Sequence, residues 1–344
     1  MYLKWFVECG MNVKFIGDNF YQHEPYTREL QNLGIEVLYG SWYANHWQDW
    51  IKENGKYLDY IYLHRPHIAP KYLDTVRKYS QAKLIYFGHD LHYLRTQRQY
   101  DIEKDAALLP AIEDWRKKEF AIFNKVDVVY YPSDIEIAEI KRQAPELTAR
   151  AIPLYIFDPL EKFENTFETR SDLFFIGGFR HEPNIDALMW FTKEIFPLIV
   201  AKLPSLRLIV AGSNMPENVK TLQSSQVIIK GEISTQELEQ CYRDCRVVIV
   251  PLRYGAGIKG KVLEALQYQV PVVTTDIGAE GLPGRKDYLN IANEASEFAE
   301  KVVTLYTNES RWLKVAEKGR QMINHHFSRA NARCVLQQDI NFNK

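Results

Sequence analysis

The sequence predicts an α/β protein built from two doubly wound parallel-sheet domains. Three observations carry that expectation. Short apolar runs alternate with helix-length amphipathic segments along the whole chain, the pattern of strands and crossover helices. Some runs, such as Arg246 to Val250, are apolar enough for a parallel strand covered on both faces. The alternation breaks once, over residues 154–171, and then resumes, and 344 residues are enough for two domains of ordinary size.

Taken in order, Met1 to Gly10 reads as the end of a helix stopped by its glycine. Asn12 to Ile16 and Ile35 to Tyr39 read as strands around a helix from Pro25 to Leu33. A helix over Trp47 to Glu53 precedes a strand from Tyr57 to Leu63. Pro70 to Tyr79 is a helix, and Lys83 to Phe87 is a strand running into Gly88-His89-Asp90-Leu91-His92. One long helix is expected over Ile102 to Asn124, then a strand at Val126 to Tyr131, a helix capped by Ser133 and a short strand at Ala149 to Pro153. The polar run Glu161 to Arg170 has no period and reads as linker. The second alternation has strands at Asp172 to Ile176, Leu206 to Ala211, Val227 to Lys230, Arg246 to Val250, Val270 to Thr275 and near Tyr288 to Ile291. Helices lie between them and after them, with a last one from about Ser328. The expected boundaries are therefore 1–153, a linker 154–171, 172–327, and a closing helix 328–344 packing back toward the first domain.

Composition narrows the partners. Lys+Arg 43 against Asp+Glu 44 leaves no basic excess for nucleic acid. Four cysteines are too few and too scattered for a disulfide framework, and Cys241 and Cys245 share one helical face as buried core residues would. No run approaches the ~18 apolar residues of a membrane span, and no charged-apolar-cleavage pattern is seen at the start, so no signal peptide is expected. The expected location is the cytoplasm, free or peripheral at the inner face of the membrane. Aromatics crowd the first half, at Phe20-Tyr21, Trp42-Tyr43, Trp47 and Trp50. Core packing and loop anchoring are preferred for them over a sugar- or membrane-facing surface.

The most informative stretch is Val248 to Leu282. A buried strand turns at Pro251 and opens into Gly255, Gly257 and Gly260, and a helix follows to Gln267. A helix N-terminus favours an anion through its free N–H groups and positive dipole end. Arg253, Lys259 and Lys261 add formal charge there, so the natural guest is a phosphate or diphosphate. Glu264, one turn inward, repels phosphate but can accept two hydrogen bonds from a ribose diol. The strand Val270 to Thr275 then meets a second Gly turn, Gly278-Ala279-Glu280-Gly281, whose Glu280 suits sugar hydroxyls or, equally, a cap on the next element.

These residues resemble the signature of the group 1 (family 4) retaining glycosyltransferases of the GT-B fold. In that family a Gly-rich turn enters a helix bearing Glu-Ala, here Glu264-Ala265, followed by a Pro-Val-Val strand, here Pro271 to Val273. The family's first carboxylate falls on Ala256, a departure; its variant with two cations before the Glu fits Lys259 and Lys261. The resemblance implies two Rossmann-like domains facing a cleft. It implies that Gly177, Gly178, Arg180, Gly231, Arg253, Gly255, Gly257, Gly278, Ala279 and Glu280 border the donor, and that His89, at a parallel strand end, holds sugar and diphosphate. Asn184 is expected to cap its helix. A metal at His89-Asp90-x-His92 is the weaker reading, since no further ligand is indicated. Arg95 and Arg98 either line the same cleft or are solvated. Family members open with a strand and Gly loop before their first helix. This sequence reads as starting inside or just before that helix, so the expectation is either a truncated or misassigned start, leaving the first domain here without its first strand, or an altered sheet.

The expected function is sugar transfer from a nucleotide-diphosphate sugar to a glycan or lipid-linked acceptor, with retention, no cofactor and no metal, in polysaccharide or glycoconjugate synthesis. The alternatives are a non-catalytic GT-B-like protein that binds a nucleotide or glycan, and an epimerase.

Overall fold

A computed structural model describes residues 1–161, 166–255 and 257–342. Part of the expected linker, 162–165, and Ala256 lie outside them. The chain divides into two compact units: Met1–Tyr93, Ala107–Ile156 and Arg329–Lys344 form the first, and Leu94–Ala106 and Phe157–Ser328 the second.

In the first unit the strands are β1 (Lys14–Ile16), β2 (Glu36–Leu38), β3 (Tyr60–His64), β4 (Lys83–Phe87), β5 (Val128–Tyr131) and β6 (Ala149–Ala151). They make two separate parallel sheets, β1-β2 and β3-β4-β5-β6. β1 therefore does not pair with β3, and β3 is an edge strand among the described residues. The sheet face at β4 and β5 is covered by Trp5 and Phe6 of the helix Tyr2–Glu8, with Ala332, Leu336 and Ile340 from the C-terminal segment.

One expectation fails here. The single helix over Ile102 to Asn124 is two helices, His92–Glu103 and Leu108–Phe123. Lys104 takes φ 56, a left-handed conformation that ends the first helix, and Pro110 sits in the first turn of the second, where its missing N–H costs nothing. The aromatics also divide. Phe20 and Trp47 are buried as expected, but Tyr21, on the loop that follows β1, and Trp42, in the first turn of the helix Ser41–Asn54, are exposed.

The second unit holds β7 (Ser171–Ile176), β8 (Leu208–Ala211), β9 (Val227–Gly231), β10 (Cys245–Val250), β11 (Val272–Thr274) and β12 (Leu289–Ile291). All pair in parallel in the order β12-β11-β10-β7-β8-β9. The chain winds one way from β7 and the other way from β10. The point between β7 and β10 is thus a topological switch, and ligands of open α/β sheets bind beyond the carboxyl ends of such strands. Cys241 and Cys245 are buried as expected but share no helix face: Cys241 lies on the helix Thr235–Asp244, and Cys245 opens β10. No helix of the described residues is long and apolar enough to cross a membrane.

The first unit has a polar tie. Asp339 is buried and accepts from Lys83 Nζ at 2.9 Å, Arg150 Nε at 2.9 Å and Tyr130 Oη at 2.7 Å. Burial alone would raise its pKa; the hydrogen bonds from Arg150, Tyr130 and Lys83 outweigh that and hold it below the usual range. A depressed carboxyl stabilises the fold above its unfolded pKa of ~3.9, and that contribution is lost as pH falls. Asp339→Asn should therefore cost about 1–3 kcal/mol in urea unfolding at neutral pH, since its cationic partners are partly solvated, and much less near pH 3. An equal loss at both pH values would show that the charge is not what matters.

Candidate functional site

Three loops meet at the switch point of the second unit. The first follows β7. Gly177 and Gly178 lead to the helix Glu182–Trp190. A Cβ on Gly177 would lie 2.7 Å from the Asn184 carboxamide, so only glycine lets that side chain approach. Asn184 Nδ2 donates to Gly178 O at 2.8 Å, and Asn184 Oδ1 accepts from Lys261 Nζ at 2.8 Å. The expected cap role of Asn184 is not what forms. The helix begins at Glu182, with His181 at the cap, and Asn184 instead ties the glycine loop to a lysine of the second loop.

That second loop follows β10. Gly255 and Gly257 take φ 138 and 74, and Lys259 stands at the N-cap of the helix Gly260–Gln267. Lys259 Nζ donates to Gly257 O and lies 3.8 Å from Glu280 Oε2. Lys261 is half-buried, with its ammonium 4.9 Å above the Phe175 ring. Burial, reinforced by Lys259 and opposed by Glu264, lowers its pKa to about 7. Glu264 accepts from the Tyr242 hydroxyl at 2.9 Å, and Tyr242 stacks on Tyr268.

The third loop follows β11. A Cβ on Gly278 would meet Thr274 Oγ1 at 2.0 Å and Val250 O at 2.9 Å. The Thr274 hydroxyl donates to Val250 O at 2.9 Å and the Thr275 hydroxyl to Leu252 O, stitching this turn to the second loop. Ala279 is buried in the turn, and Glu280 points to Lys259 and Arg98.

Not every expected residue joins this group. Arg253 is paired with Asp186 and lies over Trp190, with its charge spent on the helix Glu182–Trp190. Arg180 donates to Asn214 Oδ1 at 3.0 Å and, with Arg95, Gln99, His181 and Tyr254, lines a cavity of about 240 Å³. Gly231 ends β9, the edge strand two places from β7.

His89 belongs to the first unit, just past β4, with its ring 5.7 Å from that of His64. Burial, and then the charge of Arg65, lowers its pKa; His64 is lowered to about 4 by burial, His89 and Arg65. Both imidazoles are neutral at pH 7. His92 lies against Trp115 and 3.6 Å from Glu119, whose carboxylate accepts the backbone N–H groups of His92 and Tyr93. Among the described residues, no group of three or more His, Cys, Asp and Glu is placed to hold a metal ion. Glu119 was not singled out from the sequence. The signal was there: it falls on the same stripe of its helix as Trp115, Ile122 and Phe123.

The family description Glycosyl transferases group 1 matches residues 170–308. That match lies wholly within the second unit of the chain. Its two Rossmann-like units give the chain the fold of the GT-B glycosyltransferases. Sucrose-phosphate synthase from Thermosynechococcus elongatus is similar to it with TM-score 0.73 at 15% identity, over 98% of this chain and 90% of that one. A point mutant of S. aureus TarM, in complex with fondaparinux, alpha-GlcNAc-glycerol and UDP, is similar with TM-score 0.63 at 18% identity, over 86% of this chain and 58% of that one. An uncharacterized 44.6 kDa protein in the cps region of Klebsiella pneumoniae is 28% identical over 153 residues, 42% of this chain and 39% of that protein. The match thus spans less than two thirds of the Klebsiella and TarM chains.

With its pKa near 7, Lys261 is the group at this helix start whose charge would respond to a bound anion. An anion raises the pKa of a neighbouring ammonium, so binding should take up a proton above pH 7. The sulfate-induced rise in Tm should shrink from pH 7 to 9 in the parent, and its pH-dependent part should vanish in Lys261→Met. The same slope in both proteins would contradict the assignment.

Proposed function

We propose that the chain transfers a sugar, with retention, from a nucleotide-diphosphate sugar to a hydroxyl of a glycan or lipid-linked acceptor in polysaccharide or glycoconjugate synthesis. The observation that carries this is the convergence of Lys259, Lys261 and a helix N-terminus at the switch point, with Glu264 one turn inward. Diphosphate oxygens suit the first three, and a ribose diol suits the carboxylate. In the reaction the bond from the anomeric carbon to the diphosphate breaks, and negative charge grows on the leaving oxygens. Prepositioned donors and cations at that point stabilise the transition state more than the ground state. The same charge removes the need for a metal. Retention follows if the acceptor attacks the face the diphosphate leaves, with the departing phosphate taking the acceptor's proton. No side chain is then required as a base.

Gly177, Gly178, Gly255, Gly257, Gly278 and Ala279 supply backbone to the donor in this reading, with Glu280 at the sugar. Arg180 is assigned to the diphosphate, Gly231 to the base, and His89, as a neutral imidazole, to hydrogen bonds with the donor. Arg253 would have to leave Asp186 to take part. The solved TarM and the pneumococcal O-GlcNAc transferase GtfA were both captured with UDP, which makes uridine nucleotides the first to try. The relative in a cps region supports a role in polysaccharide synthesis. A cytoplasmic protein, free or peripheral at the membrane, fits a nucleotide-sugar donor.

A second reading has one observation in its favour. β3 presents an unpaired edge and β1 pairs only with β2 among the described residues, which suits a domain that binds a partner and does not turn over. Donor consumption separates the two. Incubation with UDP-hexoses and GDP-hexoses should release nucleoside diphosphate with an acceptor present, and Lys259→Ala or Lys261→Ala should lower the rate at saturating donor by about 10²–10³. Binding without any donor turnover favours the partner reading.

Glu264→Ala should weaken nucleoside diphosphate binding about tenfold or more, and inorganic diphosphate far less. The ratio matters because the variant also strands the Tyr242 hydroxyl and so lowers stability. An unchanged ratio in calorimetry removes Glu264 from the ribose.

A further inference from the structure

Glu280 is placed as though it were itself a ligand of the cationic site. It sits on the turn after β11 with its side chain 11% exposed, as is that of Lys259. Arg98, from the helix His92–Glu103 and part of the second unit, binds Oε1. Oε2 is enclosed and has no hydrogen-bond donor among the described residues. Lys259 Nζ is 3.8 Å away, close enough to attract but too far to bond, and donates to Gly257 O. A buried carboxylate oxygen without a donor is costly, so a group that satisfies it is favoured. Two can: Lys259 after a small shift, or a hydroxyl brought by a ligand.

We propose that Glu280 is a built-in counter-anion of the diphosphate site, held in place by Arg98, and that it exchanges Lys259 for sugar hydroxyls when the donor binds. This rests on the nucleotide-sugar reading above. In the empty protein the carboxylate balances Lys259. An incoming diphosphate takes Lys259, and the hydroxyls of the donor sugar take Oε2. A nucleoside diphosphate without its sugar claims Lys259 but leaves Oε2 unsatisfied. The site therefore prefers the donor to the spent nucleotide, and after transfer Glu280 competes for Lys259 and drives the product out. Arg98 is a positioning residue: it touches neither sugar nor phosphate, and it keeps the carboxylate from closing fully onto Lys259.

The test is calorimetric binding of UDP and UDP-glucose, with GDP and GDP-mannose as a second pair, to the full chain. Glu280→Gln removes the competing charge and should tighten nucleoside diphosphate binding about tenfold while narrowing the preference for the sugar nucleotide. Arg98→Gln frees the carboxylate to close on Lys259, so it should weaken nucleoside diphosphate binding, and Arg98→Lys should restore it. The double variant should behave as Glu280→Gln does. The signs are opposite, whereas a merely structural ion pair would give loss in both. Weakening by both variants, or no effect of Glu280→Gln, overturns the exchange while nucleotide binding by the parent stands. A parent that unfolds cooperatively but binds neither pair overturns the nucleotide-sugar reading as well.

Discussion

Two lysines at the start of one helix repel each other, and the second unit is arranged around holding them there. Lys261 is kept by Asn184 and by the face of Phe175, with its charge lowered; Lys259 keeps its place through Gly257 and the loose attraction of Glu280. The glycines follow from this. Gly177 lets the Asn184 carboxamide come close, and Gly278 lets the third loop press against β10 and Thr274. An empty site with like charges packed together is costly for the fold, and an anion relieves it. Affinity for anions and local strain are here one property.

The two units differ in how they are completed. The second has a continuous six-stranded sheet with its switch point between β7 and β10, so its ligand end is defined by topology alone. The first has its strands in two sheets and relies on the C-terminal segment, tied by Asp339 to Lys83, Arg150 and Tyr130. Buried Glu119 accepts the backbone N–H groups of His92 and Tyr93, and Glu136 that of Leu91, so two carboxylates hold the chain just after His89.

Much of this was legible in the sequence because it is local. Alternating apolar runs specify the parallel sheets, and glycines with lysines ahead of a helix specify an anion site. What was misread depends on distant partners. Arg253 looks like a phosphate ligand beside its glycines, but Asp186, far back in the chain, takes it. Asn184 has the chemistry of a cap, yet the helix starts two residues earlier and Lys261 claims its oxygen. Arg98 was equally readable as solvated, and only the fold brings it to Glu280. The helix break near Lys104 did have a local signal, Pro110, which a helix tolerates in its first turn and not in its interior.

The central claim is that the carboxyl ends of β7, β10 and β11 together form the donor site. Hydrogen–deuterium exchange with and without a nucleotide sugar tests it most directly. The account predicts that protection concentrates in three segments, 177–184, 253–264 and 275–281, which are far apart in sequence and joined only by this geometry. Protection that spares all three, with the ligand demonstrably bound, would contradict it.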